Sequence, residues 1–215
     1  MTDAEVAQYL QEHPEFLDAH VDILANIRIP DPHEGRAIPL AERQLTQLRQ
    51  RNRILEAKLA ELITFGEEND AISERMHRIT LALISAPNLD DVLGTLYFQL
   101  REDFSVPHIA LRVWGLENTP ARDEFSAVSD EVLAFATSLT VPYCTSHAMF
   151  DSIQWFTEVQ PPLQSFAYIK LAGEKLNGLM VLASEDAERF YPEMGTLYLQ
   201  RLGDITSAAI ARHLE

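Results

Sequence analysis

Cys144 and His147, with only Thr145 and Ser146 between them, place a thiol and an imidazole close together in the chain. Such a pair can serve as a nucleophile and its base in covalent catalysis. Around it the sequence gathers Tyr143, Phe150, Trp155, Phe156, Phe166 and Tyr168. Aromatic bodies with a few polar tips suit a small-molecule pocket, and they suit an ordinary core as well. The chain holds one Cys, and a lone Cys commonly acts as a small buried hydrophobe. No third group that would orient the imidazole can be identified. A single Cys also excludes an intramolecular disulfide and a multi-thiolate metal site. These residues are therefore read as a candidate ligand pocket of a non-enzymatic protein, with no cofactor and no metal expected; an enzyme using Cys144 and His147 is the alternative.

Other chemistry finds no support. The eight Gly are scattered, so no phosphate-cradling loop forms, and neither a His-Glu-x-x-His helix nor a Ser nucleophile elbow occurs. His13, His20 and His33 lie close in sequence but match no zinc spacing and read as surface residues. Acidic pairs such as Glu67-Glu68 and Asp90-Asp91 fall on expected helix surfaces, where solvated charge is the default.

The elements that would position these residues must fit in 215 residues carrying 33 acids against 17 Lys and Arg, a formal charge of −16. That balance repels a nucleic-acid backbone over most of the surface, so no nucleic-acid partner is expected. An apolar fraction of 47% is globular and not disordered. The acidic start, Met1-Thr2-Asp3-Ala4-Glu5, has no apolar h-region, and no run approaches a membrane span. A cytoplasmic protein is expected.

From Leu40 to about Ala86 there is no Pro and one Gly, Gly66, in a run of good helix formers. A helix of that length is roughly 70 Å long. With Leu45 at position a of a heptad, the seam runs Leu45, Leu48, Asn52, Leu55, Leu59 and Leu62, alternating in threes and fours as a left-handed coiled coil does. A lone Asn at a favours a parallel, in-register pair, and Arg51 at g would meet Glu56 at the partner's following e position. A homodimer through 45–62 is expected; an amphipathic helix docked on its own domain is the alternative. Beyond Leu62, Gly66 and Asn69 break the seam, and Ile72, Met76, Ile79 and Leu83 resume it in a shifted phase, a stammer. This marks either a weak point in one helix or a break between two.

Before the long helix, residues 1–39 read as two or three short helices with apolar Val6, Leu10, Phe16, Leu17, Val21, Ile23, Leu24 and Ile27, interrupted at Pro14. A turn-rich connector from Ile29 to Gly35 follows, and Pro39 opens the long helix. After it, residues 88–215 read as an α+β domain: a helix over Leu89–Phe104 capped by Asn88 or Asp90, a strand over His108–Trp114, a loop over Gly115–Ser129 and a helix over Asp130–Leu139. A short strand over Val141–Cys144 comes next, then a hairpin of Phe166–Leu171 and Leu176–Ala183 around Ala172–Lys175, and a closing helix over Glu193–Leu214 with Pro192 at its start. Segregated helices over a central antiparallel sheet are the expected architecture.

Asn177-Gly178-Leu179-Met180-Val181-Leu182, then Phe190 and a closing amphipathic helix, resemble the end of a GAF domain. The whole chain resembles an uncharacterised bacterial family with a GAF-like C-terminal half. That resemblance is carried by Tyr9–Phe16, by Leu40–Leu45 and by Phe190-Tyr191-Pro192-Glu193-Met194-Gly195-Thr196. It implies a fold and no assigned activity. GAF domains often take small molecules between the sheet and its covering loops, so it implies a possible ligand site. The scattered signature of the cyclic-nucleotide binders cannot be placed here, and the adjacent Cys-His pair of bilin binders is absent. A dimeric regulatory or signalling protein is the resulting expectation, acting on a separate, unknown protein partner, with a ligand-free interaction scaffold as the alternative.

Overall fold

The computed structural model describes residues 2–21, 23, 28–30, 37–116, 121–156, 162–174 and 176–214. His33, Leu24, Ile27, Lys175 and most of the 29–35 connector lie outside them. Contacts divide the chain into two compact units, Met1–Glu68 and Asn69–Glu215, where the sequence placed the boundary at residue 88.

In the first unit, helix α1 (Asp3–Glu12) starts with a reciprocal cap: Thr2 accepts from the Glu5 amide and donates its own N–H to the Glu5 carboxylate at 2.7 Å. Pro14 separates it from α2 (Glu15–Ala19). The connector contributes more than turns. Strand β1 (Arg28–Pro30) pairs antiparallel with β2 (Ala37–Pro39), Ile29 opposite Ile38. Each strand ends on a proline, where a missing ladder donor costs least. Pro39 therefore closes a strand, and the long helix α3 begins at the next residue.

Helix α3 (Leu40–Ser85) runs for 46 residues without a break. Gly66 sits inside it with open space around it, so the glycine interrupts the seam's side chains and not the backbone. Leu45, Leu48, Leu55, Leu59 and Leu62 are between 47% and 65% exposed. The second apolar stripe has a different fate. Met76, Ile79 and Leu83 are buried in the core of the second unit, with Ile72 packed beside them. The phase shift after Leu62 thus has a packing cause: the last turns of α3 bury a different stripe, within the unit that follows. That is also why the unit begins before residue 88.

The second unit adds α4 (Leu89–Glu102), β3 (His108–Trp114), a 3-10 turn (Asp123–Phe125), α5 (Asp130–Ser138), β4 (Tyr143–Thr145), a 3-10 segment (Phe150–Trp155), β5 (Ser165–Ala172), β6 (Asn177–Ser184) and α6 (Leu197–Ala211). Asn88 caps α4 by accepting from the Asp91 amide at 2.9 Å, and Ser129 caps α5. The strands form one antiparallel sheet in the order β3-β6-β5-β4, with Ala110 and Tyr168 both opposite Val181.

Both faces of this sheet are covered. One carries Leu111, Val113, Ala167, Ile169, Leu171, Met180 and Leu182, clustered with α3, α4 and α6 side chains. The other carries Phe166, Tyr168, Leu179, Val181 and Ala183, clustered with Val132 and Ala136 of α5 and residues of the 3-10 segment. Double coverage explains why β5 and β6 are apolar almost throughout.

Helix α6 lies beside the last turns of α3 and runs in the same direction. Its Tyr198 hydroxyl donates to the Asn69 carbonyl at 3.1 Å and accepts from Ser73, while Arg212 donates to the carbonyls of Ile84 and Ala86, both at 2.6 Å. The guanidinium thereby satisfies acceptors that a helix end leaves open. This helix starts at Leu197 and not at Glu193, because Tyr191–Met194 form a turn closed by Met194 N–H on the Tyr191 carbonyl. Gly195 is a poor first-turn residue, and the helix begins just after it. Among the described residues no helix is long and apolar enough to cross a membrane.

Candidate functional site

The sheet face beneath α5 and the 3-10 segment carries most of the polar and aromatic groups singled out in the sequence. Tyr168, fully buried at the centre of β5, organises it. Its hydroxyl accepts from the Met149 amide at 2.8 Å and bonds Ser152 Oγ at 2.8 Å. Ser152 in turn donates to the Met149 carbonyl at 2.7 Å, so the Tyr168 proton points to Ser152. Burial pushes the Tyr168 hydroxyl above its ordinary pKa, partly offset by these two bonds. The chain Met149–Tyr168–Ser152 ties the 3-10 segment to the sheet.

Packing reinforces the tie. Phe135 on α5 sits edge-on to Phe150, Tyr168 and Tyr143, with centroids 5.2, 5.5 and 6.1 Å away. Phe150 holds a left-handed φ of 40° at the start of the segment, a conformation costly for a side chain with a Cβ. Its contacts with Phe135, Tyr168 and Trp155 hold it there.

At its far end the segment meets β3 through two polar side chains. The Arg112 guanidinium lies over the Trp155 ring, 4.9 Å from its centroid, and donates to the Leu111 carbonyl at 2.8 Å. His108 Nε2 lies 3.1 Å from Glu185 Oε1, and its ring meets Phe156 edge-on at 6.5 Å.

Of the expected pocket residues, Phe150, Trp155, Phe156, Phe166 and Tyr168 come together in this cluster, and Tyr143 touches its rim through Phe135, 43% exposed. Cys144 does not join them. Strand alternation turns Tyr143 and Thr145 to this face and Cys144 to the opposite one, into the apolar cluster with Ala167 and Ile169. His147 is exposed and lies 3.1 Å from Thr145 Oγ. The sheet thus separates the thiol from the imidazole, and no nucleophile–base pair forms. Burial pushes the thiol up to about 11, so it stays protonated at neutral pH.

This thiol has a measurable consequence. In the unfolded chain Cys144 ionises near its ordinary pKa of 9.0, while in the fold it keeps its proton to about 11. The stabilisation is complete below pH 9 and is lost as pH rises through that window, by about 1.4 kcal/mol per unit. Urea unfolding at pH 8, 9 and 10 should show a falling midpoint, and Cys144→Ala should flatten that fall. An unchanged slope in the variant would place the loss elsewhere.

Arg112, His108, Glu185, Ser152 and Phe135 were not among the expected site residues. A signal for two of them lay in the alternation of His108–Trp114, where the polar positions of an otherwise apolar strand share one face. Ser152 has no such signal. On α4, Tyr97 donates to Glu124 at 2.9 Å and feels the Arg112 charge, and Arg122 bridges Glu124 and Asp90. Burial first, then the Glu124 charge, drives the Tyr97 hydroxyl far above its ordinary pKa. Among the described residues no three His, Cys, Asp or Glu side chains gather as a metal-ligand set.

An uncharacterised protein, YigA of Salmonella typhimurium strain LT2, is 27% identical over 93 residues, which is 43% of this chain and 39% of YigA. The match therefore spans less than half of that relative's length. Among solved structures, the GAF domain of a phosphoenolpyruvate-protein phosphotransferase (ptsP) from Coxiella burnetii is similar with a TM-score of 0.49 and 15% identity, covering 66% of this chain and 93% of that domain. The family described as protein of unknown function, DUF484, matches residues 1–215, and the chain belongs to it.

Proposed function

We propose that this chain is a non-enzymatic regulatory protein that pairs with a second copy through a parallel coiled coil over residues 45–62 and receives a small ligand on the aromatic face of its GAF-like unit. The observation that carries the reading is the exposed stripe of five leucines at heptad spacing on α3. In water such a stripe costs on the order of 1.5–3 kcal/mol per leucine relative to burial. A partner helix in register removes that cost, with Asn52 facing Asn52 across the seam. The ligand half of the reading is supported by a sheet face with aromatic walls, a tethered covering segment and polar groups at one corner.

A second reading, a scaffold without ligand, is favoured by one observation: Phe166 and Tyr168 are 1% and 0% exposed and fill much of this face with the chain's own side chains. Native mass spectrometry of the full chain decides among them. A dimer carrying an extra small-molecule mass is the expected result. A dimer of bare mass, with no member of a broad metabolite library retained, favours the scaffold. A monomer at micromolar concentration overturns the pairing.

A further inference from the structure

We infer that Arg112 is the anchor for an oxyanion, so that the ligand of this face is a small organic anion bearing a carboxylate or a phosphate. The inference rests on the ligand-binding reading above and adds its chemical class. Arg112 is half-buried on β3, at the end of the sheet face where the 3-10 segment closes. Of the other arginines of the second unit, two hold carboxylates, and two are tied to backbone carbonyls as Arg112 is. Arg122 pairs with Asp90 and Glu124, Arg78 with Glu74 and Asp103, and Arg189 and Arg212 donate to backbone carbonyls. Among the described residues Arg112 bonds the carbonyl of the preceding residue and stacks on Trp155. No carboxylate among the described residues pairs with it. In a chain with nearly twice as many acids as bases, a partly desolvated guanidinium that makes no ion pair among the described residues is conspicuous.

The surroundings suit an incoming anion. A guanidinium spreads its donors in a planar fork that matches a carboxylate or phosphate with two parallel bonds. Stacking on Trp155 fixes the plane of that fork without consuming its edge donors. His108, four residues earlier on the same strand face, stands beside Phe156 and is already engaged by Glu185. Among the described residues the corner therefore offers a guanidinium with no carboxylate partner, flanked by aromatic rings, an arrangement for an anionic head on a flat or apolar body.

Trp155 makes the inference testable, since the chain has two tryptophans. In a Trp114→Phe background of the full chain, Trp155 fluorescence would be titrated with inorganic phosphate, succinate, benzoate and adenosine monophosphate. Succinamide, benzamide and adenosine serve as neutral counterparts at equal ionic strength. The expected result is a saturable change with at least one anion, weaker by about tenfold or more with its neutral counterpart and in Arg112→Gln. Arg112→Lys should keep the preference for anions at reduced affinity, and unchanged circular dichroism shows that the variants fold. Whether phosphate or carboxylate responds identifies the source of the charge. Equal binding of neutral and anionic forms, or unaltered binding in Arg112→Gln, overturns the anion anchor while leaving a ligand site standing. Silence across the whole anion series in the parent protein overturns it as well, whereas the ligand reading itself falls only with the mass-spectrometry result.

Discussion

Gly203→Ala is expected to lower the melting temperature of the second unit, although alanine is the better helix former. Gly203 lies on the buried side of α6, where the helix crosses β5. A Cβ there would stand 2.6 Å from Ile169 Cγ2 and 3.1 Å from the Lys170 carbonyl oxygen. Ile169 is fully buried at the centre of the core, and the carbonyl belongs to a strand paired on both edges. Neither neighbour can retreat cheaply. Overpacking of this kind costs about 1–3 kcal/mol, against which the helix-propensity gain of about 1 kcal/mol is the smaller term. A valine should cost more again. Pairing Gly203→Ala with Ile169→Leu, which removes the branch methyl from Cβ, should recover part of the loss, a coupling readable in a double-mutant cycle. Gly66→Ala is the control, because nothing lies within 4 Å of that position. Helix propensity acts alone there, and the helical signal should melt later. If both substitutions stabilise, the close crossing of α6 on β5 is wrong.

How far the sequence could be read depended on whether a residue's role was local. The ends of helix α3 were legible because Leu40–Ser85 lacks Pro, while its continuity through Gly66 was left open, and the His108–Trp114 strand matched to the residue because its alternation is strict. The hairpin of β5 and β6 was legible to within a residue at each end. The Cys144–His147 pair does not meet because Cys144 alternates to the opposite face of β4 from Thr145, and His147, just past the strand end, is held by Thr145 Oγ. The final helix was drawn too long because Pro192 is a good helix opener in general, while Gly195 and the Tyr191–Met194 turn decide this case. The second stripe on α3 was read as a flaw in a supercoil, since spacing alone does not tell which surface an apolar stripe will meet. Arg112 could not be singled out before the structure, because its interest lies in the partners it lacks, and those come from α5, the 3-10 segment and β6.

The seam on α3 gives the other large effect. With Leu48 and Leu55 both changed to lysine, the full chain is expected to sediment as a monomer under conditions where the parent sediments as a dimer. Both residues occupy d positions, and both are exposed in the single chain, at 62% and 59%. The substitutions therefore remove nothing from the fold of one copy, and the melting of the second unit should stay near that of the parent. In a parallel pair each lysine would place its ammonium against its own copy across the seam. Burying one leucine stabilises by about 1.5–3 kcal/mol, so four lost leucines per dimer, with like charges in their place, should weaken pairing by several orders of magnitude. Asn52→Leu tests the geometry of the same seam in the opposite direction. It should raise the thermal stability of the assembly and blur its stoichiometry, because the buried Asn holds register and strand number at a cost in stability. A parent chain that sediments alone at micromolar concentration refutes the pair. A parent dimer that survives both lysines puts the contact on another surface, and the exposed leucines of α3 would then need a different partner.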